Sequence, residues 1–334
     1  MSNTTPVLQY GLGPIGCAIA RHVVASKGIE LVGAVDIDPA KAGKDAGEVI
    51  GLDHPLGVTV VESLARAPAA DIALHTTSSY LNHITAQITE LLAAGLDVVS
   101  TAEELSFPWL AHPNAASSLD VASKQAGKTV LGTGVNPGFL MDSLPLALTA
   151  ICQRVDRIEV TRVINASTRR GPFQAKIGSG LTVSEFRTRL TAGRLGHVGL
   201  RESLGMVFDT LGKQLVRYES YVEPVIAEQP IKTAYCAVPS GRVRGLKQVA
   251  RGHTGVGEFM ALTFIAALDA DNEGDTVKIS GQPDLNVTLT GTNGDIATAA
   301  IVVNAIRQVR AAAPGLVTMR DLPLVTTWEA TEAA

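Results

Sequence analysis

Three glycines and one aspartate at a fixed spacing form the first group of residues that could bind a ligand. The segment Val7–Gly16 reads VLQYGLGPIG, so a strand-like apolar stretch runs directly into Gly11, Gly13 and Gly16. In the dinucleotide-binding fingerprint, such glycines allow a tight turn, close approach of a pyrophosphate to the backbone, and close packing of the next helix. Asp36 ends a second apolar stretch, as the fingerprint requires. The pattern predicts a dinucleotide site; the alternative is a glycine-rich turn that binds no ligand.

The residues around this motif also indicate which coenzyme it would take. We expect Pro14 and Ile15 to begin the helix whose N-terminal amides face the phosphates. Asp36 can accept hydrogen bonds from both hydroxyls of an adenosine ribose and would repel a 2′-phosphate, which favours NAD over NADP. Lys41 and Lys44 lie close behind it in the sequence and leave the use of NADP open.

A pair of neighbouring glutamates is the second candidate for chemistry. Glu103 and Glu104 lie in a mostly apolar stretch, where two carboxylates are costly unless they are used. Thr101 and Glu104 have the spacing of a helix capping box, so we expect the Glu104 carboxylate to reach back to the threonine amide. This assignment leaves Glu103 to face a cleft as the catalytic carboxylate. The alternatives are that Glu104 is catalytic, or that both lie at a solvated helix start.

An alternation of strands and helices must position these residues. Apolar and amphipathic stretches closed by glycine predict strands over 71–75, 97–100 and 129–131, and helices over 80–94 and 115–126. This order predicts a parallel, doubly wound Rossmann sheet, which binds ligands beyond the carboxyl ends of its strands. The loops 75–79, 100–104 and 134–139 should converge there. We expect cofactor contacts from Thr76, Thr77, Ser78, Thr101, Asn136 and Pro137, although Ser78 and Ser79 could instead cap the next helix.

The pattern changes after Pro137 and predicts a second domain. Helices are expected over 140–152, 182–192 and 198–211, a strand over 156–164, and further β-type segments over 217–289. We interpret this domain as α+β, with an open, mainly antiparallel sheet and helices on one face. An amphipathic helix over 295–312 should return to the first domain. The expected division is a dinucleotide-binding domain, 1–139 with 295–330, and a substrate-binding and dimerisation domain, 140–294. Residues 331–334 are expected to be disordered.

Composition excludes several classes of function. The chain has 334 residues, 46% hydrophobic and 18% charged, with a net charge of −4 and 4% aromatic residues. The absence of a basic stripe argues against nucleic-acid binding. The sequence shows neither a signal peptide nor a membrane-spanning run. Cys17, Cys152 and Cys236 are widely spaced in apolar contexts, which is typical of reduced thiols in the cytoplasm and lacks the spacing of a zinc site. We therefore expect no metal.

Five longer segments carry a family resemblance. They are VVSTAEELSFPW (98–109), GTGVNPGFLMDSLP (132–145), VINASTRRGPFQAKIGSGLT (163–182), GHVGLRESLG (196–205) and GDIATAAIVVNAI (294–306). They resemble the 2,4-diaminopentanoate dehydrogenase family, which includes NAD(P)-dependent amine dehydrogenases and shares a fold with dihydrodipicolinate reductase. The resemblance covers nearly the whole chain. It implies reversible oxidative deamination of a small amine to a ketone or aldehyde plus ammonia.

The resemblance also implies roles for individual residues. The glutamate after the STA segment would handle the amine, which agrees with the choice of Glu103. Asn165 and His197 match positions that line the substrate pocket, although a structural, hydrogen-bonded role is the alternative for His197. An apolar pocket wall is expected from Phe139, Leu140, Leu144 and Phe173, although the phenylalanines could be plain core. Arg169 and Arg170 could bind a substrate carboxylate, but adjacent arginines near a turn are more often solvated or paired at an interface.

Three readings of the function remain open. The first is an amine dehydrogenase acting on a small amine, and the second is a dehydrogenase of 2,4-diaminopentanoate itself. The third, of another class, is a redox-sensing protein that binds NAD without turnover; a glutamate at position 103 argues against it. An open second sheet needs cover, so we also expect a homodimer joined through the C-terminal domain.

Overall fold

The computed structural model describes residues 4–329, so the expectation for 331–334 lies outside the described range. The chain divides into two compact units. Unit 1 runs to Phe139 and resumes at Asn293, and unit 2 is the continuous stretch Leu140–Thr292. In the described range, no helix is long and apolar enough to cross a membrane, and no group of three acidic, histidine or cysteine side chains is arranged to hold a metal ion.

Unit 1 alternates strands and helices along most of its length. Its elements are β1 (Thr5–Tyr10), α1 (Pro14–Val24), β2 (Ile29–Val35), α2 (Ala46–Ile50), β3 (Val60–Val61), β4 (Ile72–His75), α3 (Leu81–Ala93), β5 (Asp97–Ser100), α4 (Pro113–Ala126), β6 (Thr129–Gly132), and then α9 (Gly294–Ala311) and β15 (Gly315–Val317) after unit 2.

The strands of unit 1 form one parallel sheet. Within residues 4–329 it has seven strands in the order β15, β6, β5, β4, β1, β2, β3, and its neighbouring strands pair in parallel. The strand order reverses at β1, which lies between β2 and β4. In doubly wound folds, ligands bind at such a reversal, outside the carboxyl ends of the strands. The predicted Rossmann sheet is confirmed.

Each face of this sheet has its own apolar core. Val7 belongs to the cluster that α1 and α9 cover, whereas its neighbour Leu8 belongs to the cluster that α3 and α4 cover. Both side chains are completely buried. Successive residues of a strand point to opposite faces, so a strand covered on both sides is mostly apolar, and a polar residue in it, such as Gln9, needs hydrogen-bond partners. This explains the continuous apolar run that precedes the glycine motif.

Unit 2 combines helices with a mainly antiparallel sheet. Its elements are α5 (Ser143–Thr149), β7 (Arg154–Asn165), α6 (Gly171–Lys176), α7 (Val183–Thr191), α8 (Leu200–Thr210), β8 (Arg217–Ile226), β9 (Ile231–Lys232), β10 (Ala237–Val238), β11 (Val243–Thr254), β12 (Gly257–Ala267), β13 (Gly274–Gln282) and β14 (Leu285–Leu289).

In the described chain, the large sheet of unit 2 has six strands in the order β14, β13, β7, β12, β11, β8. β7 and β12 pair in parallel, and the other neighbours pair antiparallel. The core of the unit joins one face of these strands to α8, which contributes Leu204 and Phe208. At Gly252 of β11, an added Cβ would lie 2.5 Å from the Phe208 ring, so α8 packs directly on the strand there. The predicted α+β class with a mainly antiparallel sheet is confirmed.

One helix of unit 2 is shorter than the sequence indicates. A helix was expected over 140–152, but α5 covers only Ser143–Thr149. The Asp142 side chain accepts a hydrogen bond from the Ser143 amide at 2.6 Å and so begins the helix later. Leu140 and Met141 are buried outside the helix, where they satisfy the apolar pattern without being helical.

Candidate functional site

The glycine loop between β1 and α1 is tightly packed at Gly11 and Gly16 and unobstructed at Gly13. Gly11 has φ +95°, and an added Cβ would lie 2.9 Å from the Thr76 carbonyl oxygen. At Gly16 an added Cβ would lie 2.0 Å from the Gly11 carbonyl oxygen, a contact that excludes any side chain. Around Gly13, by contrast, an added Cβ would have no neighbour within 4 Å. The backbone at Gly13 is therefore accessible to a ligand.

The start of α1 suits an anion. Gly13 is the N-cap and offers no side chain to the first turn, and Pro14 follows as the first helical residue. The first turn carries no acidic residue. Amides at a helix N-terminus point outward and carry the positive end of the helix dipole, so they bind phosphate well. Pro14 is exposed, Ile15 is half-buried and Gly16 is buried.

Two polar residues, the buried Gln9 and the half-buried Thr76, support the glycine loop. The Thr76 hydroxyl donates to the Gly11 carbonyl oxygen at 2.7 Å. The Gln9 amide nitrogen donates to the same oxygen at 2.8 Å and lies 3.0 Å from the Thr76 hydroxyl oxygen. Thr76 therefore holds the loop in shape through its hydroxyl, a role that sequence reasoning did not identify. Gln9 was missed altogether, since a glutamine inside an apolar strand carries no local signal of its partners.

Asp36 lies at the end of β2 and faces the glycine loop. Its Oδ2 accepts hydrogen bonds from the Leu12 amide at 2.7 Å and from the Lys41 Nζ at 3.0 Å, and its Oδ1 accepts from the Asp38 amide at 2.9 Å. Burial opposes ionisation, but these hydrogen bonds outweigh it and hold the pKa of Asp36 below its ordinary value. Next to it, Ile37 is 83% exposed and offers an apolar surface.

The end of β4 contains a buried histidine relay. His75 is 0% exposed, and burial lowers its pKa to about 4, so the ring is neutral at pH 7. Nε2 lies 2.8 Å from the Gln87 Oε1, which can only accept, so Nε2 carries the proton. Nδ1 must then accept from the Ser100 hydroxyl at 2.9 Å. The Ser100 oxygen in turn accepts from the Ala102 amide at 3.2 Å, which links the relay to the residue before Glu103.

The hydroxyls of the loop after β4 are engaged within the protein. The Thr77 hydroxyl donates to the Gln87 Oε1 at 2.6 Å. The Ser78 hydroxyl accepts from the Tyr80 amide at 3.3 Å and lies 3.1 Å from the His83 Nδ1. Tyr80 is the N-cap of α3 and provides no side-chain cap. These hydrogen bonds hold the loop in shape. That Thr77 and Ser78 contact a cofactor stays a prediction.

The two glutamates differ in their surroundings. They lie on a 3-10 turn, Glu103–Leu105, which we call the acidic turn. The Glu104 Oε2 accepts from the Leu81 amide at 2.7 Å and lies 3.4 Å from the His112 Nε2. Glu104 therefore caps the start of α3. Glu103 is half-buried, and its carbonyl oxygen accepts from the Ser106 hydroxyl at 2.8 Å.

The predicted capping box at Thr101 and Glu104 is wrong. The Thr101 amide donates to the His75 carbonyl oxygen at 3.0 Å, which prolongs the contact between β4 and β5. The acidic turn begins after Ala102 without a side-chain cap. Glu104 still caps a helix, but that helix begins 23 residues earlier in the chain. Neither Ser78 nor Ser79 supplies the cap at the Leu81 amide, because Glu104 does so.

The loop after β6 is fixed from both sides. The Thr133 amide donates to the Ser100 carbonyl oxygen at 2.8 Å, and the Val135 amide donates to the Thr298 hydroxyl of α9 at 3.3 Å. Asn136 and Pro137 are buried and joined by a cis peptide bond. Phe139, half-buried, is the last residue of this part of unit 1. The sequence offered no signal for Thr298, since it lies 163 residues from its partner.

In unit 2, the histidine predicted to line the pocket is held on two sides. The His197 ring stacks on Phe264, with centroids 4.5 Å apart and planes 14° apart. The Gln248 side chain accepts from the His197 amide at 2.7 Å and donates to its carbonyl oxygen at 2.9 Å. Position and ring plane are therefore fixed. Sequence reasoning missed both Gln248 and Phe264, which look like ordinary strand residues.

The other predicted pocket residues of unit 2 lie in several elements. Asn165 ends β7, and its Oδ1 accepts from the Ser167 amide at 3.0 Å. Phe173 lies on α6 with the Arg169 guanidinium 5.2 Å from its ring centre. Leu140 is 2% exposed, and Leu144 packs against the core of the unit. Arg169 thus has an aromatic contact within its own unit.

Comparison with known proteins gives consistent similarities over the whole chain. Residues 139–333 match the sequence model of the 2,4-diaminopentanoate dehydrogenase C-terminal domain. The chain is 32% identical to the 2,4-diaminopentanoate dehydrogenase of Acetoanaerobium sticklandii, over 95% of this chain and 93% of that protein. It is 25% identical to an amine dehydrogenase of Streptomyces virginiae, over 94% and 95% of the two chains.

A solved structure gives the same result. The structure of amine dehydrogenase from Mycobacterium smegmatis superimposes with a TM-score of 0.84 at 26% identity, covering 96% of this chain and 97% of that one. The sequence match and the structural match both extend over the two units. The chain therefore belongs to the 2,4-diaminopentanoate dehydrogenase family.

Proposed function

We propose that this protein is an NAD(P)-dependent amine dehydrogenase, which converts a small amine and water to a ketone or aldehyde and ammonia, reversibly. The observation that carries the proposal is the position of the acidic turn. Glu104 is used to cap α3, whereas Glu103 lies on the acidic turn at the carboxyl edge of the parallel sheet, where doubly wound folds bind their ligands. The full-length similarity to two dehydrogenases of amines supports the same reaction.

The coenzyme of this proposal is a nicotinamide dinucleotide, and the residues of unit 1 fit it. The open backbone at Gly13 and the uncapped start of α1 would hold the pyrophosphate. Asp36 would accept the ribose hydroxyls, and the exposed Ile37 would contact the adenine. When bound, the nicotinamide accepts hydride from the carbon that carries the amine, or returns it in the reverse direction.

Glu103 performs the proton chemistry in this proposal. An alkylammonium releases hydride poorly, so the Glu103 carboxylate first takes a proton from the substrate nitrogen. The resulting carboxylic acid gives that proton to solvent, and the carboxylate then stabilises the positive iminium carbon. Next it accepts a proton from the water that adds to this carbon, and it returns a proton to the departing nitrogen. The products are the carbonyl compound, ammonium, reduced coenzyme and one proton.

Unit 2 supplies most of the substrate contacts in this proposal. We assign pocket roles to His197, Asn165 and Phe173. We assign the same role to Phe139, Leu140 and Leu144, which lie where the chain passes from unit 1 to unit 2. Gln248 holds the His197 backbone by hydrogen bonds, and Phe264 stacks on the His197 ring. The ring therefore has one orientation, as a specificity residue requires. The preferred amine is then set by the size of the apolar side chains.

One assay tests the proposed reaction. Purified protein is mixed with NADH or NADPH, ammonia and a panel of small ketones and aldehydes, and coenzyme absorbance is followed. Oxidation of 2,4-diaminopentanoate and of simple amines with NAD or NADP is measured in parallel. Turnover of ketones and simple amines supports the proposal, and exclusive turnover of the diamino acid narrows the substrate to that compound. Coenzyme binding without turnover of any substrate would instead support a redox sensor.

The sheet of unit 2 has a second face, which we propose joins two copies of the chain. Core residues such as Val160 and Leu262 point to the helices. The residues between them lie on the other face, which we call the open face. The middle row is uncharged: Tyr221, Val249, Thr263, Thr161, Thr276 and Thr288. A row beside it alternates in charge: Glu219, Arg251, Ala261, Glu159 and Lys278.

This arrangement is self-complementary. A second copy related by a two-fold axis can place its acidic residues against basic ones across an uncharged centre. A homodimer would also protect the broad β surface from other contacts. We further propose a cytoplasmic location, because Cys17, Cys152 and Cys236 are free thiols in the structure.

A further inference from the structure

The loop after β2 folds a lysine back onto Asp36. Asp38 begins a turn in which its carbonyl oxygen accepts from the Lys41 amide at 2.9 Å and its side chain accepts from the Ala40 amide at 2.9 Å. The Gly43 amide then donates to the Val60 carbonyl oxygen at 2.9 Å, which ties the loop to β3. Lys41 is thus directed back by backbone bonds, and its Nζ lies 3.0 Å from Asp36 and 3.5 Å from Asp38.

The charge balance at this point matters for the coenzyme. A dinucleotide in the proposed site places its adenosine ribose at Asp36. NADP carries a 2′-phosphate there, which an isolated carboxylate would repel. The hydrogen bonds around Asp36 hold its pKa low, so it stays ionised at neutral pH. The ammonium of Lys41 is the positive charge placed against it, and 26% of that side chain is exposed to solvent.

We propose that Lys41 is the residue that admits 2′-phosphorylated dinucleotides to this site. The inference rests on the proposed coenzyme function and deepens it. With NAD bound, Lys41 neutralises Asp36 while the ribose hydroxyls donate to the carboxylate. With NADP bound, the Lys41 Nζ donates to the 2′-phosphate, because an ammonium has three donors and can serve a carboxylate and a phosphate together. The same pocket then accepts both coenzymes.

The chain offers a matched control three residues further on. Lys44 has the same charge and lies in the same loop, but it pairs with Glu48 at 3.2 Å and is 51% exposed. Its ion-pair partner is Glu48 and not Asp36, and a general effect of positive charge would affect both lysines alike. A role specific to the 2′-phosphate affects only Lys41.

Binding of fragments tests the inference without turnover. Isothermal titration calorimetry compares 2′,5′-ADP with 5′-ADP on the wild-type protein, Lys41→Gln, Lys41→Arg and Lys44→Gln. We expect Lys41→Gln to weaken 2′,5′-ADP binding by about tenfold or more and 5′-ADP binding by about twofold at most, since a charged hydrogen bond to phosphate is lost. Lys41→Arg should retain 2′,5′-ADP binding, and Lys44→Gln should change neither. Added salt should weaken 2′,5′-ADP binding more in the wild type than in Lys41→Gln.

The steady-state counterpart is a KM for NADPH that rises in Lys41→Gln by a much larger factor than the KM for NADH. Equal losses for both nucleotides would show that Lys41 only stabilises the loop, and no loss for either would place the 2′-phosphate elsewhere; both outcomes overturn the inference. A wild type that binds 5′-ADP but not 2′,5′-ADP also overturns it and leaves an NAD enzyme. Selective loss of 2′,5′-ADP binding in a protein that turns over no amine would keep the role of Lys41 and reject the dehydrogenase. A wild type that binds neither nucleotide rejects both.

Discussion

At the scale of single residues, position decides which of two chemically identical groups can act. Glu103 and Glu104 are neighbours with the same side chain, but the Glu104 carboxylate is committed to the first amide of α3 and to His112. A carboxylate in that role is needed to stabilise a helix start and is poorly suited to exchange protons with a substrate. In the proposed reaction, the pair divides structural and chemical work between adjacent positions.

Substitution of each glutamate tests this division. We expect Glu103→Gln to reduce kcat by about a hundredfold or more, because a group that transfers protons is removed, with little change in stability. Glu104→Gln should keep most activity, and Glu104→Ala, which removes the acceptor of the Leu81 amide, should lower the free energy of unfolding by about 1 kcal/mol, the usual cost of losing a helix cap. Steady-state kinetics and urea unfolding measure both. Near-normal turnover in Glu103→Gln, with inactivity in a folded Glu104→Gln protein, would reverse the assignment.

Asp36 should discriminate between the coenzymes. In Asp36→Ala the acceptor for the ribose hydroxyls is lost, and so is the charge that opposes a 2′-phosphate. We therefore expect NAD binding to weaken more than NADP binding. Fluorescence titration with NADH and NADPH gives the two dissociation constants. A larger loss for NADPH would contradict the ribose role.

His75 should make stability depend on pH in a defined range. Burial lowers its pKa to about 4 in the folded protein, whereas an unfolded histidine titrates near its ordinary 6.5. Below pH 6.5 the unfolded chain takes up a proton that the folded chain does not, so stability falls as the pH drops toward 4, by roughly 3 kcal/mol at most. Above pH 6.5 this contribution is constant.

The His75→Gln variant isolates this effect. We expect it to flatten the fall in unfolding free energy between pH 6.5 and pH 4, measured by urea titration at each pH. An unchanged slope in His75→Gln would assign the pH dependence to other groups.

At the scale of elements, the sequence predicted most of unit 1 because local pattern and tertiary environment agree there. The strand expected over 97–100 is β5, and the helix expected over 80–94 is α3, Leu81–Ala93. Buried parallel strands and helices packed on a sheet both carry strong apolar periodicity. Short elements such as α2 and β15 escaped prediction, since five or three residues hold too little periodicity to be recognised.

Capping motifs show where local pattern is insufficient. Thr101 and Glu104 have capping-box spacing but form none, whereas Thr182 and Glu185 form a complete box at the start of α7. The difference is tertiary, because the Thr101 amide already has an acceptor in His75 from the neighbouring strand. Spacing in sequence indicates which bonds are available, and strand pairing decides which of them form.

The last described segment packs against the rest of unit 1 through Trp328. The Trp328 indole donates to the Lys27 carbonyl oxygen, and the Arg307 guanidinium of α9 lies 4.6 Å from the ring centre. We expect Trp328→Ala to lower the free energy of unfolding by about 2 kcal/mol, since a partly buried aromatic ring and its cation contact are lost. Thermal unfolding measures the change. Leu324, 81% exposed in the same segment, is the control. An equal effect of Leu324→Ala would argue against a specific contribution of the Trp328 contacts.

At the scale of the whole molecule, the candidate site could be predicted in its chain-local parts only. The glycine motif and Asp36 were found because their spacing repeats a known geometry. Partners from distant segments, such as Thr298 beneath Val135 or Gln248 beside His197, have no such spacing. The site is recognised from its motif and supported by residues that only the folded chain brings together.

The open face gives a prediction about assembly. Thr263→Arg puts a charge in the middle of the uncharged row, so two copies would bring like charges together. We expect the sedimentation coefficient to change from that of a dimer to that of a monomer. Thr89→Arg, on the exposed surface of α3, is the control and should keep the dimer. A wild-type protein that is monomeric at micromolar concentration would contradict the proposed dimer.

Unit 1 is made from two stretches of chain with unit 2 inserted between them. A ribosome releases α9 and β15 last, although α9 covers the apolar side of α1 with residues such as Val302 and Ile306. During synthesis, unit 2 can fold before α9 has been made. Until then the first stretch of unit 1 exposes the apolar surface that α9 later covers, and chaperones bind such surfaces. Synthesis of unit 1 thus starts before that of unit 2 and is completed after it.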